Sequence, residues 1–153
     1  MYICSERLIM KYHFDTSLGR ISLQISKALG KSFEHKTIHE GFPLRADQWT
    51  LVSLLYHKGA LTQKEIADSL YMDKVAVSRL VERMAVKGMV ARRPMSNDKR
   101  AREVSLTPAG NRLYRKMEPL ATKTIADALD GLNEETISDF FSKLNHIRKN
   151  LQC

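Results

Sequence analysis

The sequence predicts a mainly α-helical chain with one small β-hairpin past its middle. Three observations carry this. Apolar residues recur at helical spacing at both ends of the chain, at Leu18, Ile21, Ile25 and Leu29 and again at Ile137, Phe140, Phe141, Leu144, Ile147 and Leu151. Helix starts and stops stand between such stripes, with capping residues at Thr62, Asp73 and Thr107 and breaks at Gly41, Gly59, Gly88 and Gly131. Val90 to Leu106 instead reads as two short strands around a charged turn, Ser96-Asn97-Asp98.

The elements follow in order. A long helix covers about 15–38 and is broken by Gly41-Phe42-Pro43. A second covers about 46–58, with Trp49, Val52, Leu55 and Tyr56 as its apolar side and Gly59 as terminator. Thr62-Gln63-Lys64-Glu65 is a capping box, in which the Thr hydroxyl and the Glu carboxylate each satisfy a free backbone N–H. It opens a short helix with Ile66, Ala67 and Leu70 inward, and Tyr71-Met72 makes the turn. Asp73 caps the next helix, about 74–87, which ends at Gly88. Val90 to Met95 is a strand that Pro94 restricts to a sheet edge, and Glu103 to Leu106 is its return partner. Thr107 and Pro108 start a helix that runs to about Leu129, and a last helix covers about 134–150.

Two helices joined by a tight turn and followed by a hairpin make a winged helix-turn-helix. The chain divides into an N-terminal helix (1–45), a winged helix-turn-helix (46–106, wing about 90–106) and C-terminal helices (107–153). The outer helices carry more apolar surface than a small winged domain needs. Leu18, Ile21, Leu120, Phe140, Phe141, Leu144 and Ile147 are therefore expected at a contact with a second copy of the chain.

Charge is concentrated. The chain carries +8, and residues 74–102 supply +7 of it through nine cations against Glu82 and Asp98. One basic block in an otherwise balanced protein is an electrostatic footprint, and phosphate is its usual partner. At 100° per residue, Val77, Leu80, Val81 and Met84 face the core, leaving Lys74, Val75, Ala76, Ser78 and Arg79 as readers of a DNA major groove. Arg79 suits guanine O6 and N7, and Val75 and Ala76 suit thymine methyls. Arg83 and Lys87, further along, are assigned to phosphate. So are Thr62, Gln63 and Lys64, at a helix start with free N–H groups. At the wing, Lys99, Arg100 and Arg102 follow the backbone into the minor groove, with Asp98 orienting a neighbouring arginine.

Other classes find less support. No Gly-rich phosphate loop, Ser/His/Asp arrangement or paired-carboxylate cluster suggests an enzyme. The five histidines show no metal-ligand spacing with Cys or carboxylates, so neither metal nor cofactor is expected. Cys4 and Cys153, at the two ends, make no disulfide framework. No run approaches a membrane span and no signal region opens the chain, which points to the cytoplasm. A winged module that binds protein or RNA is the alternative to a reader of duplex DNA. The cationic outer face of helix 74–87 speaks against it.

The run from Leu61 to Gly110 resembles the MarR family of bacterial transcriptional regulators. Three pieces carry the resemblance: Leu61-Thr62-Gln63-Lys64-Glu65-Ile66-Ala67; Val77-Ser78-Arg79-Leu80-Val81-Glu82-Arg83-Met84 with Lys87-Gly88-Met89-Val90; and Asp98-Lys99-Arg100 leading to Val104-Ser105-Leu106-Thr107-Pro108-Ala109-Gly110. The resemblance implies a dimer on a pseudo-palindromic site, held together by the terminal helices. It implies Arg100 as the minor-groove residue, Asp98 as its brace and Arg79 as a major-groove reader. It also implies a repressor released by a small phenolic or lipophilic effector, or by cysteine oxidation. Cys4 lies too early for the position the oxidation-sensing members use. An effector between the dimer helices and the winged domain would draw on Tyr12, His13, His35, His39, Trp49, Tyr56 or His57.

Overall fold

The computed structural model describes residues 13–94 and 102–151. Six helices and three strands follow in the order α1 (Leu18–His39), α2 (Ala46–Lys58), β1 (Leu61–Thr62), α3 (Gln63–Leu70), α4 (Lys74–Val86), β2 (Val90–Pro94), β3 (Arg102–Leu106), α5 (Pro108–Ala128) and α6 (Glu134–Leu151).

Local chemistry sets the boundaries. Thr62 Oγ1 accepts from the Glu65 N–H at 3.2 Å, and the Glu65 carboxylate accepts from the Thr62 N–H at 2.7 Å, completing the capping box. Asp73 Oδ1 accepts from the Ala76 N–H at 2.8 Å and starts α4. Between them Tyr71 takes the left-handed conformation (φ 52°), the place a glycine often fills in such turns. Gly59 and Gly88 hold positive φ where α2 and α4 stop.

The hydrogen bonds from Thr62 hold the Glu65 carboxyl below its ordinary value. A carboxylate lowered on folding adds stability at any pH above its unfolded value, and that contribution is lost as pH falls through the lowered value. Acidification is therefore expected to free the Thr62 amide only below the ordinary carboxylate range. Amide hydrogen exchange followed against pH checks this, and release near neutrality would contradict it.

The sheet has the order β1-β3-β2, antiparallel throughout, with Val104 opposite both Leu61 and Arg92. β2, with Pro94, is an edge strand as the sequence requires. Nothing in the sequence announces β1, because two residues are too short to display strand periodicity. The core lies between the sheet and the helices. Leu51, Val52, Ile66, Val77, Leu80, Val81, Met84, Val104 and Met117 are at or near zero exposure. Each such large apolar side chain contributes about 1.5–3 kcal/mol relative to exposure.

One expectation is corrected. The buried side of α2 is Gln48, Leu51, Val52 and Leu55, whereas Tyr56 is 36% exposed. Tyr56 leaves the core side because its ring stacks on Tyr114 of α5, with centroids 3.7 Å apart.

α1 lies against α5, joined by Lys36 and Asp127 at 3.1 Å. α6 differs from every other helix longer than three turns. None of its 18 residues is buried, and Phe140 (42%), Phe141 (46%) and Leu144 (37%) stand open with Ile147 half-buried. On α1, Leu18 and Ile21 are likewise exposed. Leu120, grouped with them from sequence, instead packs partly buried against the chain's own core. No helix among the described residues is long and apolar enough to cross a membrane.

Candidate nucleic-acid interface

α4 separates its residues cleanly. Val77, Leu80, Val81 and Met84 have no exposure, while Lys74, Val75, Ser78, Arg79, Arg83 and Lys87 are exposed and Ala76 is half-buried. The division follows from 3.6-residue periodicity, since i, i+3, i+4 and i+7 share one side. Ser78, Arg79, Glu82 and Arg83 line a shallow outward groove of about 360 Å³. The sequence-derived readers of α4 therefore share one surface, opposite the core.

The cations on this surface are held differently. Arg79 makes no ion pair among the described residues, so its guanidinium has all its donors to offer. Arg83 is bound to Asp47 of α2 at 3.1 Å. Lys87 Nζ donates to Gln48 Oε1 at 3.4 Å. Glu82 pairs with Arg92 of β2 at 2.9 Å, tying the base of the wing to α4. Sequence reasoning missed the roles of Asp47, Gln48 and Arg92, because each pairs with a residue of another element, Asp47 with one 36 positions away and Gln48 with one 39 away, and such pairs leave no local signature.

At the start of α3, Lys64 is exposed and Gln63 and Thr62 are half-buried. The expectation of free N–H groups needs correction at Thr62. Its N–H is taken by Glu65, and its hydroxyl also lies 2.8 Å from the same carboxylate. The capping box that makes the helix start legible uses up that donor.

At the wing, Arg102 is exposed at the start of β3, opposite Pro94. Asp98, Lys99 and Arg100 lie outside the described residues, as do Tyr12, Cys4 and Cys153. The base of the wing is firmly seated. Thr107 Oγ1 accepts from the Gly110 N–H at 3.0 Å and donates to the Gly88 carbonyl at 2.7 Å, while the Thr107 N–H donates to the Met89 carbonyl at 3.1 Å. One threonine thus starts α5 and fastens it to the end of α4.

The residues considered for an effector fall into separate groups. Trp49, Tyr56 and His57 belong to an aromatic cluster where α1, α2 and α5 meet. Phe33 and Trp49 lie 5.4 Å apart, Trp49 stacks on Tyr114 at 5.3 Å, and His57 Nε2 lies 2.9 Å from the Tyr114 hydroxyl. Burial raises the Tyr114 phenol above its ordinary value. His35 and His39 form a separate exposed pair on α1, their Nε2 atoms 3.2 Å apart, and His13 is exposed near the start. No group of three or more metal-ligating side chains is gathered among the described residues.

The MarR family model matches residues 44–101, the helix-turn-helix and the first part of the wing. Solved structures extend the likeness in fold. BpsR of Bordetella bronchiseptica, whose DNA binding is regulated by 6-hydroxynicotinic acid, is 24% identical, with a TM-score of 0.78 over 91% of this chain and 98% of that one. The transcriptional regulator SlyA superposes with a TM-score of 0.80 at 22% identity, over 89% of this chain and 94% of that one. A cysteine-to-serine mutant of MarR from E. coli, solved with operator DNA, gives 0.77 at 21% identity over 85% and 92%. The chain is thus similar to the MarR family model over its helix-turn-helix and the first part of the wing, and it shares its fold with these structures along nearly its whole length.

Proposed function

We propose that this protein is a dimeric repressor that binds a pseudo-palindromic site on duplex DNA and is released by a small-molecule effector. The observation that carries the reading is α4. Its inner side is fully buried, while its outer side presents Lys74, Val75, Ser78 and Arg79 together. An exposed helix face mixing cations, a hydroxyl and small apolar groups suits base edges, thymine methyls and phosphate at once. The +7 charge of residues 74–102 supplies the sequence-independent attraction. Arg83, Lys87, Lys64 and Gln63 serve phosphate in this reading, and Lys99, Arg100 and Arg102 serve the minor groove, braced by Asp98. The terminal helices join two copies, and the protein works in the cytoplasm as a regulator rather than an enzyme.

The effector reading rests on the aromatic cluster. It spans α1, α2 and α5, so a small aromatic or lipophilic molecule inserted there would act on the helices of the reading head and of the dimer together. The regulation of BpsR by 6-hydroxynicotinic acid supports the class of molecule.

Selection of bound sequences from a random duplex pool tests the proposal. A two-fold-related site with half-sites about one helical turn, roughly 10 base pairs, apart is the expected product. Failure to enrich any duplex, with retention of RNA or a protein partner, would favour the alternative winged module. On the selected site Arg79→Ala is expected to cost about 1–3 kcal/mol and to relax preference at one base position. Equal losses on selected and random duplexes would reduce Arg79 to a phosphate contact.

A further inference from the structure

Asp47, at the start of α2, gathers one cation from two residues before it and one from a distant part of the chain. Its Oδ2 accepts from Arg83 Nη2 at 3.1 Å, and its Oδ1 accepts from Arg45 Nε at 3.2 Å and from the Gln48 N–H at 2.9 Å. The neighbouring Gln48 Oε1 accepts from Lys87 Nζ at 3.4 Å. Glu82, beside Arg83 in sequence, is engaged by Arg92 and does not compete for it. Asp47 is the least exposed of its ion-paired trio, at 28% against 48% for Arg83 and 72% for Arg45. Two guanidiniums share one carboxylate, so the cluster keeps a net positive charge on the side of α4 that carries Arg79.

We propose that Asp47 is a positioning residue that presents Arg83 and Arg45 together to backbone phosphates, making a second grip beside the reading half of α4. The inference rests on the DNA-binding reading and adds Arg45 and Asp47 to it. A free arginine must give up many side-chain conformations to meet a phosphate. An arginine already held by a carboxylate has given them up before binding, which is preorganisation. Arg83 commits one N–H of its guanidinium to Asp47 and retains others for a phosphate.

Charge alone argues the other way. A carboxylate close to phosphate repels it, so removing the charge would tighten binding. The two effects have opposite signs, and an experiment can decide between them.

The full-length protein is titrated with its selected duplex over a range of salt concentrations, alongside Asp47→Asn, Asp47→Glu, Arg83→Ala and the double variant Asp47→Asn with Arg83→Ala. Asparagine keeps the Oδ1 acceptor for the Gln48 N–H but removes the charge and puts an NH2 donor where Oδ2 accepted from Arg83. Asp47→Asn is expected to weaken binding roughly threefold to tenfold despite the gain in positive charge. Its salt dependence should flatten by about 0.9 in the log–log slope for each phosphate the variant no longer neutralises. Asp47→Glu should recover most of the affinity, and the double variant should lose less than the two single changes combined. Tighter or unchanged binding by Asp47→Asn overturns the proposal. So does full additivity with Arg83→Ala, which would mean that Asp47 acts through the fold. A wild-type chain that fails to bind duplex overturns the DNA-binding reading itself, whereas wild-type binding with a tighter Asp47→Asn variant overturns the brace alone.

Discussion

Gly110→Ala is expected to destabilise the protein by about 3 kcal/mol, a severe loss for the addition of one methyl group. A Cβ at Gly110 would lie 2.1 Å from the Met89 carbonyl oxygen and 3.1 Å from Leu106 Cδ2. The carbonyl has little room to yield, because it accepts the Thr107 N–H at 3.1 Å and leads directly into β2. Alanine normally gains on glycine within a helix by roughly 0.5–1 kcal/mol, so the expected sign is the reverse of the local preference. Gly19, in the first turn of α1 with nothing within 4 Å of its Cβ position, is the control. Gly19→Ala should be neutral or mildly stabilising. Urea unfolding of both variants tests the pair, and a Gly110→Ala protein as stable as wild type would show that the approach of α5 to the end of α4 can relax.

The double change Phe140→Glu with Phe141→Glu is expected to abolish dimerisation and specific DNA binding together while leaving the winged domain folded. The two rings stand edge to face, with centroids 5.8 Å apart, on a helix with no buried residue. Large apolar side chains left this open along one stripe call for a covering surface, and the exposed Leu18 and Ile21 of α1 offer one of the same kind. Two carboxylates placed in that seam would have to be desolvated unpaired. If each copy holds one half-site, loss of the partner removes the gain from simultaneous binding, about 10²–10⁴ in affinity. Sedimentation run with duplex titration is the measurement. A variant that stays dimeric would place the dimer contact elsewhere, and a monomer that keeps full affinity for the two-half-site duplex would show that binding does not depend on the dimer.

Much of the fold is legible in the residues themselves. The boundaries of α2 and α4, the capping box at Thr62 and Glu65, the cap at Asp73 and the edge position of Pro94 each depend on residues within a few positions of one another. Backbone donors at a helix start have to be satisfied locally, which is why short motifs report them. The buried set on α4 is equally readable, because one helical period fixes which residues share a side. The glycine of Thr107-Pro108-Ala109-Gly110 is visible as part of a motif, but its reason is not. That reason is the Met89 carbonyl, which belongs to the turn between α4 and β2 and reaches the glycine only through packing.

Tertiary structure decided what depends on distant partners. Sequence alone separates Arg79, as a base reader, from Arg83, as a phosphate contact, by their places along the helix, and assigns neither a partner within the chain. Folding leaves the first without an ion pair among the described residues and ties the second to Asp47, because the start of α2 meets the C-terminal end of α4. Sequence places Tyr56 with the core and Leu120 at a partner contact. Packing puts Tyr56 on the Tyr114 ring and Leu120 against the chain's own core. Periodicity tells which side of a helix is apolar, not which neighbour covers it. The chain by itself therefore determined its helices, their caps and the outward face of α4. Only the assembled fold determined which charges on that face are held and which are free, since side-chain pairing depends on distances that local sequence does not encode.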